Sequence, residues 1–262
     1  EVWENHDRLL FSVGQANSPT GPGQFDGGGL FVISRDGKES RVLSKTIREQ
    51  RNARQNVRTM EFARRIPGST DEVIVTGNLR SADSEDVYRL NLNTGKTKLI
   101  SEDRPEHAGN WILDANLVPR VVTSWVRNTQ TYVVHYRKSA DAPWQELVRT
   151  DRTKSPAFVP LGILKSDNKT LLVATNQGRD TMAVFKYDPE TKTLGELLAQ
   201  HPHYDMGADA AGDHVGGVIT EPETDRLLGY SVDADKPQRV WIDEKEAQTQ
   251  ATVDSALPDT VN

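Results

Sequence analysis

The chain contains no cysteine among its 262 residues. That excludes a disulfide framework, a thiolate nucleophile and any Cys-ligated zinc. It also lacks an apolar run approaching the ~20 residues that a membrane-spanning helix requires. Aromatic residues are 6% and hydrophobic residues 35% of the total. This is thin for one deep core but sufficient for many short, half-exposed strands. Basic residues are outnumbered, 32 Lys and Arg against 38 Asp and Glu, for a net charge of -6, and the pI is near 5.6. A general nucleic-acid binder carries the opposite balance. No signal peptide is visible. The chain opens beside a strand already under way, which suits a stretch cut from a longer polypeptide. A periplasmic or secreted location is compatible with that opening, as is a cytoplasmic one.

What the chain does have is hairpins. The segment 87–100 reads VYRLNLNTGKTKLI. Apolar and polar residues alternate from Val87 to Leu92, the period of a half-buried strand. Asn93-Thr94-Gly95 is a turn in which glycine supplies a positive φ, and a second strand follows over 96–100. Similar hairpins recur: 30–34 with the turn Arg35-Asp36-Gly37-Lys38, then 129–137 with Ser139-Ala140-Asp141-Ala142-Pro143, and 182–187 with Asp188-Pro189-Glu190-Thr191. The last spans 226–232 and 239–241. The closing turns, marked by Asp36, Thr94, Asp141, Glu190 and Asp235, lie 58, 47, 49 and 45 residues apart.

A strand-rich unit repeating at this interval is the signature of four-stranded propeller blades. One small twisted sheet cannot bury both faces, and stacking blades buries them against each other. An irregular β-sandwich also places turns every ~8–12 residues, but the repeated order of strand, turn, strand, loop, strand, turn, strand favours blades. The expected fold is therefore all-β, a β-propeller fragment of about five four-stranded blades with incomplete terminal blades. Its units fall near 1–44, 59–101, 109–149, 156–199 and 214–243. Segment 244–262 is a connector toward a further blade, helix-compatible at 243–253. The long first interval contains 45–58, with five basic residues, a single Glu49 and no apolar period. Without interleaved aromatics it reads as a solvated surface excursion and not a nucleic-acid patch.

The units resemble the N-terminal propeller of the prolyl oligopeptidase family of serine peptidases, in particular its bacterial dipeptidyl and acylaminoacyl peptidase branch. The carriers are Trp3 with Asp7-Arg8-Leu9-Leu10-Phe11, then Gly29-Leu30-Phe31-Val32-Ile33 with Asp36-Gly37. Val87-Tyr88-Arg89-Leu90-Asn91-Leu92 with Thr94-Gly95 follow. Next come Trp111 with Asp114 and Pro119-Arg120, Ala183-Val184-Phe185-Lys186-Tyr187-Asp188 with Leu197-Leu198, and His201-Pro202 before Tyr204-Asp205. The resemblance implies a further blade before Trp3, more blades after Leu257-Pro258, and a C-terminal α/β-hydrolase domain that carries the catalytic residues. No G-x-S-x-G stands in this sequence, so there is no nucleophile elbow and no catalytic residue to carry over. The implied role is gating: a non-catalytic propeller that restricts entry to peptides and supplies part of the substrate cavity. Its partners are the absent hydrolase domain and, in the intact enzyme, a peptide; no cofactor is implied. An open array leaves edge strands unpaired, so edge-mediated self-association or ordering by the tail is expected. The alternative is a stand-alone propeller that binds a protein or glycan.

Other constellations read as structural. His201, His203, Asp205, Asp209, Asp213 and His214 crowd into fourteen residues with zinc-compatible chemistry, but they sit where a blade-to-blade connection is expected. Gly21-Pro22-Gly23 and Gly27-Gly28-Gly29 precede a strand, whereas a phosphate loop opens a helix. Glu221, Glu223 and Asp225 belong to an exposed turn and read as ordinary solvated acids. Dipeptidyl peptidases of the resembled family hold a substrate amino terminus with propeller glutamates, yet no matching motif stands here. Gly178-Arg179-Asp180 offers an arginine fork for a carboxylate but reads as a loop tied to its own backbone. The five tryptophans read as blade core and rim. Asn168-Lys169-Thr170 is a formal glycosylation sequon, relevant only in a eukaryotic secretory route.

Overall fold

A computed structural model describes residues 2–4, 7–13, 27–151, 156–208, 216–221, 226–258 and 260. Gly21-Pro22-Gly23, Asp209, Asp213, His214, Glu223 and Asp225 lie outside the described residues, as does the Trp3 side chain. The chain divides into two compact units, Glu1–Trp111 and Ile112–Asn262. Among the described residues it is all-β apart from two helices and one 3-10 turn, and the strands form five antiparallel meanders of the propeller-blade type.

The first unit holds two four-stranded sheets. One is β1 (Val2–Glu4), β2 (Arg8–Val13), β3 (Gly28–Ser34) and β4 (Ser40–Ser44). The other is β5 (Met60–Arg65), β6 (Glu72–Ser81), β7 (Ser84–Asn91) and β8 (Thr97–Leu99). Spatial order equals chain order in both, as a meander demands. Leu10, Leu30 and Val32 from the first sheet pack on Met60, Val73, Val75 and Leu90 from the second. Burying each such side chain contributes roughly 1.5–3 kcal/mol. Val73, Ile74 and Val75 are consecutive and all 0% exposed, so β6 is covered on both faces. Gly77 in the same strand is required by close approach, because a Cβ there would sit 2.4 Å from the Thr59 carbonyl oxygen.

Between the sheets runs 45–58. Sequence reading expects a plain surface excursion; its centre is a short helix, α1 (Ile47–Asn52). A capping box starts it: Thr46 Oγ1 accepts from Glu49 N while Thr46 N donates to Glu49 Oε2 at 2.8 Å. Gln50, buried, then ties the ends, donating to the Lys45 and Arg58 carbonyls and accepting from Arg58 N at 2.7 Å.

The second unit carries three sheets; the division falls inside β9. The first is β9 (Ala108–Leu113), β10 (Pro119–Val126), β11 (Thr131–Tyr136) and β12 (Gln145–Asp151). The next is β13 (Phe158–Ile163), β14 (Leu171–Thr175), β15 (Ala183–Asp188) and β16 (Thr193–Ala199). The last has three strands among the described residues, β17 (Gly217–Thr220), β18 (Leu227–Asp233) and β19 (Pro237–Trp241). Where incomplete terminal sheets are expected, the described residues give three strands in the last sheet and four in the first. Val121, Val134 and Tyr136 pack on Leu171, Val173 and Tyr187, and Val184 and Met206 pack on Val232. The tail forms α2 (Glu244–Ala256), N-capped by Asp243, whose Oδ1 accepts from Lys245 N and Glu246 N.

The outer hairpins share one device. Asn91 and Asp188 end a third strand and Asp36 stands two residues past one; each accepts backbone N–H groups two or three residues ahead. This Asx turn is local chemistry, repeated once per blade in three of the five. In the second of them Gly95 takes φ 70 and donates to the Asn91 carbonyl.

Candidate functional site

The sequence candidates resolve mainly into turn chemistry. His201 Nδ1 accepts from His203 N at 3.1 Å and Tyr204 N at 3.2 Å. Asp205 accepts from Met182 N at 2.8 Å, and Thr181 donates to the His201 carbonyl. His201 and Asp205 thus close the connection after β16. Among the described residues no three His, Asp or Glu side chains are grouped to hold a metal. Arg179 donates to Gln200 Oε1, and its backbone N–H closes a turn on Asn176. Asp180 is exposed. Glu221 accepts from Arg226 at 3.5 Å. Gly28 and Gly29, both at positive φ, are the first two residues of β3.

Trp111 Nε1 donates to the Glu85 carbonyl, Trp241 Nε1 to Gln250, and Trp125 tilts against Tyr132 at 4.5 Å. Trp144 lies under the Arg137 guanidinium, 4.5 Å away. All four are half-buried.

One opening in the first unit has the character of a binding cleft. It measures about 500 Å³ and lies between the two sheets, walled by Leu10, Val13, Leu30, Ile47, Met60 and Phe62, with Glu61 among its polar groups. Behind Glu61 stands Glu85, whose carboxyl is pushed above the usual range by burial and then by the Glu61 charge. A largely apolar cleft with Glu61 in its wall suits a ligand with an apolar body. Sequence reading misses it, since Glu61 and Glu85 sit 24 positions apart on different strands, an arrangement with no local signature.

Two buried ionic nodes brace the sheets. In the first unit Asp86 is fully buried and accepts from Arg80 at 2.6 and 2.9 Å and from Ser101 at 2.8 Å. Arg104 Nε is 2.9 Å away. Burial alone would push the carboxyl up; the Arg80 and Ser101 hydrogen bonds and the two guanidinium charges outweigh it and hold it below the usual range. In the second unit Arg120 donates to Asp114 Oδ2 at 2.9 Å, the Arg137 carbonyl at 2.7 Å and Tyr136 Oη at 3.1 Å. Asn168, from the turn between β13 and β14, donates to Asp114 and accepts from Ala115 N at 2.8 Å. Asp114 and Arg120, read from sequence as marks of a resemblance, are thus the pin between two neighbouring sheets.

Successive antiparallel meanders of this kind define the chain as a run of β-propeller blades. A 181-residue stretch is 26% identical to dipeptidyl aminopeptidase BIII of Pseudoxanthomonas mexicana, covering 67% of this chain and 23% of that protein. The chain thus spans under a quarter of the curated relative it matches, and the resemblance to a prolyl oligopeptidase-type propeller holds in sequence as well as in the blades. No family model matches the chain. Among solved structures, a prolyl endopeptidase aligns over 93% of this chain and 36% of its own, at 12% identity and a TM-score of 0.48. Oligogalacturonate lyase of Vibrio parahaemolyticus aligns over 86% of this chain and 53% of its own, at 12% identity and a TM-score of 0.40. Neither structural likeness bears on activity.

Proposed function

We propose that this chain is the non-catalytic propeller portion of a prolyl oligopeptidase-like serine peptidase. It gates access to the active site of an α/β-hydrolase domain on the same polypeptide and supplies part of the substrate cavity. The observation that carries this reading is the sequence match to a dipeptidyl aminopeptidase confined to less than a quarter of that protein's length. The absence of G-x-S-x-G from this chain agrees with it. The blades contribute surface and exclusion, and the chemistry belongs to the hydrolase domain. The cleft walled by Leu10, Met60 and Phe62 is the part of the first unit suited to holding an apolar portion of a peptide.

The test is a chromogenic peptidase assay. The 262-residue chain alone should release no product from dipeptidyl or acyl-peptide anilides, and the longer polypeptide that carries it should. Deleting the blades from that polypeptide should relax discrimination between short and long peptides. A parent polypeptide without a serine-nucleophile domain would sink the proposal and leave a stand-alone binding propeller.

A further inference from the structure

Four of the five sheets end on an outer strand that is blunted. β8 is three residues long. The pairing of β4, β12 and β16 with the preceding strand is interrupted by register shifts, twice in the case of β16. Short and bulged edges are how sheets avoid pairing with other chains.

β19 has no such protection. It ends the fifth sheet and pairs with β18 through five consecutive residues without a shift. The tail does order, as α2, and Trp241 contacts it through Gln250. Even so, Pro237 to Val240 remain exposed. Ile242 N donates to the Leu228 carbonyl at 2.8 Å, and this fixes the alternation. Gln238 and Val240 turn their backbone groups toward β18, so Arg239 and Trp241 turn theirs outward. Among the described residues those outward groups have no hydrogen-bond partner. Val240 and Ile242 are 39% and 53% exposed.

We propose that β19 is the edge through which two copies of this chain pair, antiparallel about a two-fold axis at Val240, extending the fifth sheet from three strands to six. The sequence of the edge is complementary to itself in that register. Arg239 lies opposite the partner's Trp241, and Trp241 opposite the partner's Arg239. Each pair exchanges both N–H···O bonds and sets a guanidinium beside an indole. Val240 meets the partner's Val240 at the close spacing of a non-hydrogen-bonded pair. Pro237, which has no N–H to offer, falls outside the paired residues. Moving the axis one residue back, to Arg239, changes the register by two and places Arg239 against the partner's Arg239, a like-charge contact that disfavours it.

Light scattering or sedimentation of the 262-residue chain over a concentration series tests this. The expected result is a mass rising from one copy to two, with a dissociation constant in roughly the micromolar to millimolar range of small interfaces. Val240→Glu and Val240→Lys each put like charges across the axis and should weaken association by about tenfold or more. Mixed in equal amounts, they should recover a dimer containing one of each. Arg239→Pro removes an outward N–H without touching the β18 ladder and should also weaken association. A chain that stays single at every concentration overturns the proposal. So does a dimer indifferent to Val240→Glu, or a pair of charged variants that fails to recover on mixing.

Discussion

Asp86 in the first unit and Asp114 in the second are both buried aspartates held by arginine, yet their arginines stand differently toward water. The Arg80 side chain is 40% exposed, whereas Arg120 is 7% exposed and Arg137 is buried. The first node is therefore a sealed carboxylate held by one cation that reaches solvent, Arg80, and a second, Arg104, that is 13% exposed. The second is sealed on both sides and closed by carbonyls, the Tyr136 hydroxyl and Asn168. A cation that can return to water loses little when its partner goes. One that cannot is left stranded in a medium that stabilises charge poorly.

The largest expected effect follows from that difference. Asp114→Ala strands Arg120 and also removes the acceptor of Asn116 N and Val118 N. It should cost about 3–5 kcal/mol, read as a fall in the urea midpoint of unfolding. If the loss stays near that of a surface substitution, the node is not sealed in solution.

Asp86→Asn should cost less, about 1–3 kcal/mol, because Arg80 can turn toward water. It also has a pH signature. The carboxyl is held lower in the fold than in the unfolded chain, so its contribution is fully present above the unfolded value of about 3.9. That contribution is lost as pH falls through the lower folded value. Melting temperatures followed from pH 6 into the acid range should drop less steeply for Asp86→Asn than for the parent. Equal slopes would mean that Asp86 does not titrate as placed.

The smallest effect belongs to the pair that joins the two sheets of the first unit at their surface. Arg8 and Asp71 meet at 3.3 Å with side chains 27% and 53% exposed. Arg8→Ala should shift stability by no more than about 1 kcal/mol in the same urea experiment. A larger loss would place this pair with the buried nodes.

The blades were legible because their punctuation is local. Asp36, Asn91 and Asp188 fold their own turns with groups two or three residues away, so the spacing of such turns carries the repeat. The nodes were not legible. Asp86 draws on Arg80, Ser101 and Arg104, and Asp114 draws on Asn168, 54 residues on; no periodicity announces a polar residue that faces inward. α1 lies between these cases. Its capping box, Thr46 with Glu49, stands in the sequence, but its stability comes from Gln50 bonds rather than from an apolar stripe. The cluster around His201 shows the converse. Ligand-type residues close in sequence are spent on holding one bend, and their proximity has a backbone cause.

The side-chain amide of Asn168 has a consequence for anyone making this protein by secretion from a eukaryotic host. Its nitrogen already serves Asp114 and its oxygen serves Ala115, so the folded chain offers no free acceptor for a sugar. A glycan attached to the nascent polypeptide would instead occupy the nitrogen before the two sheets meet, and the secreted material would divide into a pinned form and an unpinned one.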